Sequence, residues 1–127
     1  MTPTHKTTGS AGADLVCAKE ITIKPNETVL VSTGAYVPSG LPSGICLLLM
    51  IRSSIALKKR LILSNGVGLI DSDYTDEIKA MFTNLNTKPV TLEKGERIAQ
   101  LVPMQYVGGV FPVDNNDRTG GFGSSGK

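Results

Sequence analysis

Turn-forming residues recur along this chain roughly every ten residues, and that spacing limits what it can fold into. Gly9-Ser10, Pro25-Asn26, Pro38 to Gly44, Asn65-Gly66, Asp71 to Asp73, Asn86 to Pro89, Lys94-Gly95 and Gly108-Gly109 are all such signals. The runs between them are short and favour strands. Ile21 to Lys24 alternates apolar and polar residues, as does Glu77 to Phe82, with Ile78, Ala80 and Phe82 on one face. Alternation with period two marks a half-buried strand. Val29 to Val31 and Ile45 to Ile51 are continuously apolar, which predicts strands covered on both faces by a second sheet or another subunit. Only Ser53 to Lys59 reads as a helix: a serine cap, then Ala, Leu and Lys, too short for more than two turns. The expected fold class is all-β, a sandwich or barrel with one short helix.

The 127 residues suffice for one domain with a core. A net charge of +2 is too small to argue for nucleic acid or a membrane surface as partner. The longest apolar run, Ile45 to Ile51, has seven residues, where a membrane helix needs about 20. Met1 to Ser10 is polar and lacks the apolar core of a secretory signal, so a cytoplasmic or otherwise intracellular setting is expected. Cys17 and Cys46 are the only cysteines and His5 the only histidine, which argues against a zinc site; both cysteines read as buried thiols. The expected organisation is a β-domain over residues 1–113, then a flexible, glycine-rich C-terminal flap over 114–127.

Five segments carry chemistry. Ser64 to Glu77 combines a turn dipeptide, a short strand containing Gly68, an acidic turn (Asp71-Ser72-Asp73) and Tyr74, then the next strand. Turn, strand, turn, strand predicts a hairpin, and glycine within a strand marks close approach by a ligand or another backbone. The plainer reading is a surface hairpin. In Ala11-Gly-Ala-Asp-Leu15, Asp14 at a strand start is either a turn residue or a holder of a metal or its water. Arg52-Ser-Ser54 opens the helix, where free N–H groups and a guanidinium favour anions; an ordinary serine cap is the alternative. In Gly95 to Gln100, Gln100 is a ligand contact or an exposed strand position. In the tail, Arg118 and the serines suit phosphate and Phe122 suits a flat ring, against the alternative of a terminus with no role. Gly121 to Lys127 fits the start of a phosphate-loop pattern, but no Ser/Thr or helix follows Lys127.

Taken in order, these segments resemble the five motifs of the trimeric dUTPases: Ala11 to Leu15, Arg52 to Ala56, Asn65 to Tyr74 with Glu77, Gly95 to Leu101, and Arg118 to Gly126. The resemblance spans nearly the whole chain. It implies a jelly-roll homotrimer with sites at subunit interfaces, hydrolysing dUTP to dUMP and pyrophosphate with Mg2+ as cofactor, and no nucleic acid or membrane partner. It implies that Asp71 activates the attacking water and Tyr74 packs against the deoxyribose. Backbone at Gly68 and Ile70, with Asn65, would read the uracil edge. Arg52, Ser53, Ser54 and Gln100 would line the phosphates, and Asp14 would hold magnesium through water. Arg118, Ser124 and Ser125 would close on the γ-phosphate while Phe122 stacks on the base, with Gly123 also binding substrate.

Three positions depart from the family pattern: Met50-Ile51 before Arg52 where proline is usual, Arg60 where glycine or an apolar residue is common, and Asp76 where glycine is usual. Two other functions compete. A dCTP deaminase of the same fold would need Glu77 to shuttle protons and would leave the tail unexplained. A non-catalytic, dUTPase-like regulatory module would be favoured by loss of a motif, and none is lost.

Overall fold

The protein is described by a computed structural model, over residues 2–114. In chain order these form β1 (Thr4–His5), β2 (Ala13–Val16), β3 (Ile21–Ile23), β4 (Thr28–Ala35), β5 (Ile45–Ile51), α1 (Ser53–Lys59), β6 (Leu61–Leu63), β7 (Gly68–Ile70), β8 (Ile78–Asn84), β9 (Val90–Leu92) and β10 (Arg97–Gln105). Three antiparallel sheets result, in the orders β1-β2-β10-β5-β7, β4-β8-β6 and β3-β9. The expected all-β architecture with one short helix is what the described residues adopt.

The core lies between the sheets. Strand β8 shows how the alternation builds it: Ile78, Ala80, Phe82 and Asn84 are buried in turn, with Lys79, Met81 and Thr83 on the other face. Leu15, Ile23, Val31, Leu49, Leu61, Leu92 and Ile98 join Phe82 in a single cluster drawn from all three sheets. Burying a side chain of that size contributes about 1.5–3 kcal/mol, so the shared cluster is what binds the sheets together. Asn84, fully buried, ties the sheet edges. Its Nδ2 donates to the carbonyls of Ile23 (2.8 Å) and Lys88 (3.0 Å), and its Oδ1 accepts from the Asn86 backbone N–H at 2.8 Å. Both cysteines are buried free thiols, as expected. The Cys17 thiol donates to the Lys19 carbonyl at 2.9 Å, and burial pushes it above the ordinary thiol range.

Two expectations are corrected. Strands β7 and β8 do not form a hairpin: β7 pairs with β5 and β8 with β4 and β6, so the Asp71 to Glu77 segment crosses between sheets. Seven residues are long enough to make that crossing, which a tight turn could not. Helix α1 has Arg52, not a serine, at its N-cap, with no side-chain cap bond; Ser53 is already helical. The outer face of β4 is open within one copy, where Leu30 is 41% exposed, which leaves the alternative of cover by another subunit. At the other end of α1, Arg60 adopts the left-handed conformation (φ 51°, ψ 38°), where glycine is the favoured residue. Asn86 Nδ2 caps that end by donating to the Lys59 carbonyl at 2.6 Å.

Candidate active site

Register places the first group of residues. Gln100 on β10 lies opposite both Asp14 on β2 and Met50 on β5, so these three side chains form a row across one sheet face. Residues directly opposite in a ladder share a face. Arg52 and Ser53 follow where β5 ends and α1 begins. Together with Lys6 and Ser10 these residues line a recess of about 430 Å³. The Asp14 carboxylate, with its side chain only 13% exposed, faces Arg52 Nε at 3.6 Å through one oxygen and Arg97 Nε at 3.6 Å through the other. Gln100 Nε2 donates to the Ile51 carbonyl at 3.4 Å. Gly12 lets that side chain lie where it does, because a Cβ there would stand 2.5 Å from Gln100 Oε1.

The second group sits on the segment from β6 to β8. At Asn65-Gly66 the chain turns, with the Gly66 N–H donating to the Leu63 carbonyl at 2.9 Å. A Cβ on Gly68 would stand 3.1 Å from Leu49 Cβ, so the close approach expected at this glycine is made to β5. Ile70 is buried and Asp71 is exposed. The Tyr74 N–H donates to the Asp71 carbonyl at 3.1 Å. The Tyr74 ring belongs to the core cluster at 9% exposure, and its hydroxyl donates to the Glu77 carbonyl at 2.9 Å. Tyr74 also lines a second recess, of about 340 Å³, with Tyr36, Leu41 and Asp73.

Within one copy these groups stand apart. Ile70 pairs with Leu47 and the strands run antiparallel, so Asp71 lies level with Cys46. Six residues of strand at about 3.4 Å each then separate Asp71 from Arg52, roughly 20 Å. That is too far for both side chains to touch one phosphate group.

Of the residues singled out from sequence, Asp14, Arg52, Ser53 and Gln100 come together in the first recess. Ser54 lines an adjoining recess on the helix side, with Lys58, Glu96 and Arg97. Asn65, Gly68, Ile70, Asp71 and Tyr74 lie on the second segment. Arg118, Phe122, Gly123, Ser124 and Ser125 lie outside the described residues. Two participants were missed: Arg97 and Gly12 both fall inside segments read from sequence, but neither was assigned a role.

Glu77 is engaged elsewhere. Its Oε2 accepts hydrogen bonds from the Ser32 hydroxyl and from the Gly34 N–H, the latter at 2.7 Å. The Ser32 bond, with help from Gly34 and the nearby Lys79 and Lys19, holds this carboxyl below its ordinary range, against the opposing effect of burial. A glutamate clamped this way to the Ser32 to Ala35 bulge of β4 is poorly placed to shuttle protons, which weighs against the deaminase reading.

Among the described residues no three His, Cys, Asp or Glu side chains gather as a metal-binding group. Magnesium keeps several waters and uses one or two carboxylates plus substrate phosphates, so a single carboxylate such as Asp14 has the donor chemistry for such an ion.

Fold and recess together define an all-β protein with a polar recess, lined by Asp14, Arg52, Ser53 and Gln100, on the inner strands of its five-stranded sheet. The dUTPase family model matches residues 1–126. A deoxyuridine 5'-triphosphate nucleotidohydrolase from Hydrogenobaculum sp. is 45% identical, covering 98% of this chain and 89% of that protein. The crystal structure of dUTPase from Streptococcus mutans is similar, with TM-score 0.76 and 39% identity over 83% of this chain and 85% of that one. A dUTPase from phage phi11 of S. aureus, described as coordinating a structural Mg(II) ion, shares the fold, with TM-score 0.78 and 19% identity over 93% and 92% of the two chains. The chain belongs to the dUTPase family.

Proposed function

We propose that this chain hydrolyses dUTP to dUMP and pyrophosphate, lowering dUTP and supplying dUMP for dTMP synthesis. Three copies of a jelly-roll domain would share sites at their interfaces. The observation that carries the interfacial reading is the separation of Asp71 from Arg52 along β5, which one copy cannot close. A second copy brings the Asp71 segment of one chain to the arginine recess of another.

In such a site Arg52, Ser53 and Gln100 would hold the phosphates, with Ser54 close by on the helix. Asn65 and the backbone at Gly68 and Ile70 would present hydrogen-bonding groups to the uracil edge. An exposed edge of the Tyr74 ring would lie against the deoxyribose, its hydroxyl being already committed to Glu77. Asp71 would take a proton from a water aligned behind the α-phosphorus. The water oxygen forms the new bond to that phosphorus as the bridge to the β-phosphate breaks, and pyrophosphate departs with the electron pair. A carboxylate within hydrogen-bond reach of the water suffices as general base at neutral pH. Mg2+, held through water near Asp14, would supply charge neutralisation on the phosphates. Arg118, Phe122, Gly123, Ser124 and Ser125 have the residue types to cover the nucleotide: a guanidinium and hydroxyls for the γ-phosphate, a ring for the base.

Pyrophosphate release from dUTP tests this directly. Asp71→Asn is expected to lower kcat about 1,000-fold with oligomeric state unchanged by light scattering. A full-rate Asp71→Asn protein overturns the assignment of the base. Mixing Asp71→Asn chains with Arg52→Ala chains should restore part of the activity, since some interfaces then pair two intact halves; no recovery in exchanged oligomers counts against shared sites.

A further inference from the structure

We propose that Arg97 is a positioning residue: it holds the Asp14 carboxylate so that Arg52 is free to transfer to the phosphates of the bound nucleotide. The inference rests on the dUTPase reading and goes beyond it, to a residue that neither recess geometry nor motif order assigns.

The register of β10 is the first observation. Arg97 lies opposite Val16, but Ala99 lies opposite Leu15 and Gln100 opposite Asp14, so the ladder carries a bulge at Ile98. Arg97 and Gln100 are three residues apart, an odd interval that puts side chains on opposite faces of a regular strand. The bulge removes that offset, and both residues end on the face that carries Asp14. Re-aiming a side chain is what such bulges do. Its cost to the core is absorbed by Ile98 and Ala99, both fully buried.

The second observation is how the charges are shared. The two guanidinium groups approach different oxygens of Asp14, each at 3.6 Å. Arg52 Nη1 also donates to the Arg97 carbonyl at 3.5 Å. Arg97 lines the helix-side recess, not the one shared by Asp14, Ser53 and Gln100, so it reaches Asp14 from behind. With Arg52 alone, Asp14 and Arg52 would neutralise each other, and drawing Arg52 towards phosphate would strand a mostly buried carboxylate. A carboxylate only 13% exposed loses more when left without a cation than a fully solvated one would, although both guanidinium side chains are part-exposed. Arg97 offsets that penalty, and the group Asp14, Arg52 and Arg97 carries one net positive charge.

Calorimetric titration with the non-hydrolysable α,β-imido analogue of dUTP, without magnesium, tests the proposal on the full chain. Arg97→Gln is expected to weaken binding roughly tenfold, and Arg97→Lys, which keeps the charge, no more than about threefold. In steady state KM should rise with kcat changed less than about twofold, which a general loss of structure would not produce. In an Asp14→Asn background, Arg97→Gln should change affinity less than about threefold, because Arg52 no longer has a carboxylate to leave. Should Arg97→Gln not fold, Arg97→Ala carries the same expectations. Unchanged affinity in Arg97→Gln, an Arg97→Lys protein that melts normally but binds as weakly as Arg97→Gln, or a full tenfold loss in the Asp14→Asn background each overturns the proposal. Wild-type protein that fails to bind the analogue overturns the dUTPase reading, and this inference with it.

Discussion

Asp14, on β2, and Glu77, just before β8, are both carboxylates beside a β-bulge, and they are held in opposite ways. Glu77 accepts short hydrogen bonds from the Ser32 hydroxyl and the Gly34 N–H, both on the bulge it fastens. Asp14 has two guanidinium groups at 3.6 Å, too long for a tight hydrogen bond. Short bonds to backbone and hydroxyl fix a conformation. Longer charge pairs leave their partners exchangeable, which suits a site where an incoming anion must compete for one of them. The difference separates a carboxylate that shapes the fold from one that serves the recess.

The comparison breaks most readily at Asp14. Asp14→Asn is expected to reduce kcat/KM for dUTP about 100-fold while moving the folding free energy by no more than about 1 kcal/mol, measured by pyrophosphate release and urea denaturation. A large loss of stability with normal turnover would make Asp14 the structural acid instead. Gly12→Ala comes next. The new methyl must displace the Gln100 side chain, so KM is expected to rise roughly tenfold with the fold retained. Unaltered kinetics would show that Gln100 has no role in binding.

Glu77→Gln sharpens the other side. It should cost about 1 kcal/mol in denaturation, since it weakens a charge-assisted bond at a part-exposed position, and leave analogue affinity alone. The pH dependence follows from the same bonds. The folded protein holds the Glu77 carboxyl below its ordinary value of 4.5, so its contribution is complete above that pH and is lost as pH falls through the lower folded value. Comparing wild type and Glu77→Gln, the stability difference should shrink on acidification below 4.5. A difference that grows there would mean the carboxyl is not held by Ser32 and Gly34. The smallest effect is expected at the C-terminal end of α1: Arg60→Gly should stabilise by about 0.5–1 kcal/mol by relieving the left-handed backbone, read as a rise in melting temperature.

Much of the fold could be read along the chain. The alternation of Ile78, Ala80 and Phe82 identified a half-buried strand and its inward face, because period two depends only on local pleating. The helix over Ser53 to Lys59 was legible from propensity, though its cap was not, since the N-cap position depends on where β5 ends. The supposed β7–β8 hairpin was misread for a related reason. Turn signals say that the chain changes direction, but not which sheet receives the next strand.

Residue types and their order were enough to mark Asp14, Arg52, Gln100 and Asp71 as chemical groups, and apolar periodicity was enough to require an all-β core. What only the tertiary structure decided was which of them meet. Gln100 reaches Asp14 through ladder register, and Arg97 joins them only because a bulge at Ile98 shifts the strand by one residue. Asp71 stays roughly 20 Å from Arg52 because β7 runs antiparallel to β5. Register and bulges are set by pairing between segments distant in sequence, where the free energy of many shared contacts outweighs any local preference, so no single stretch of the chain encodes them.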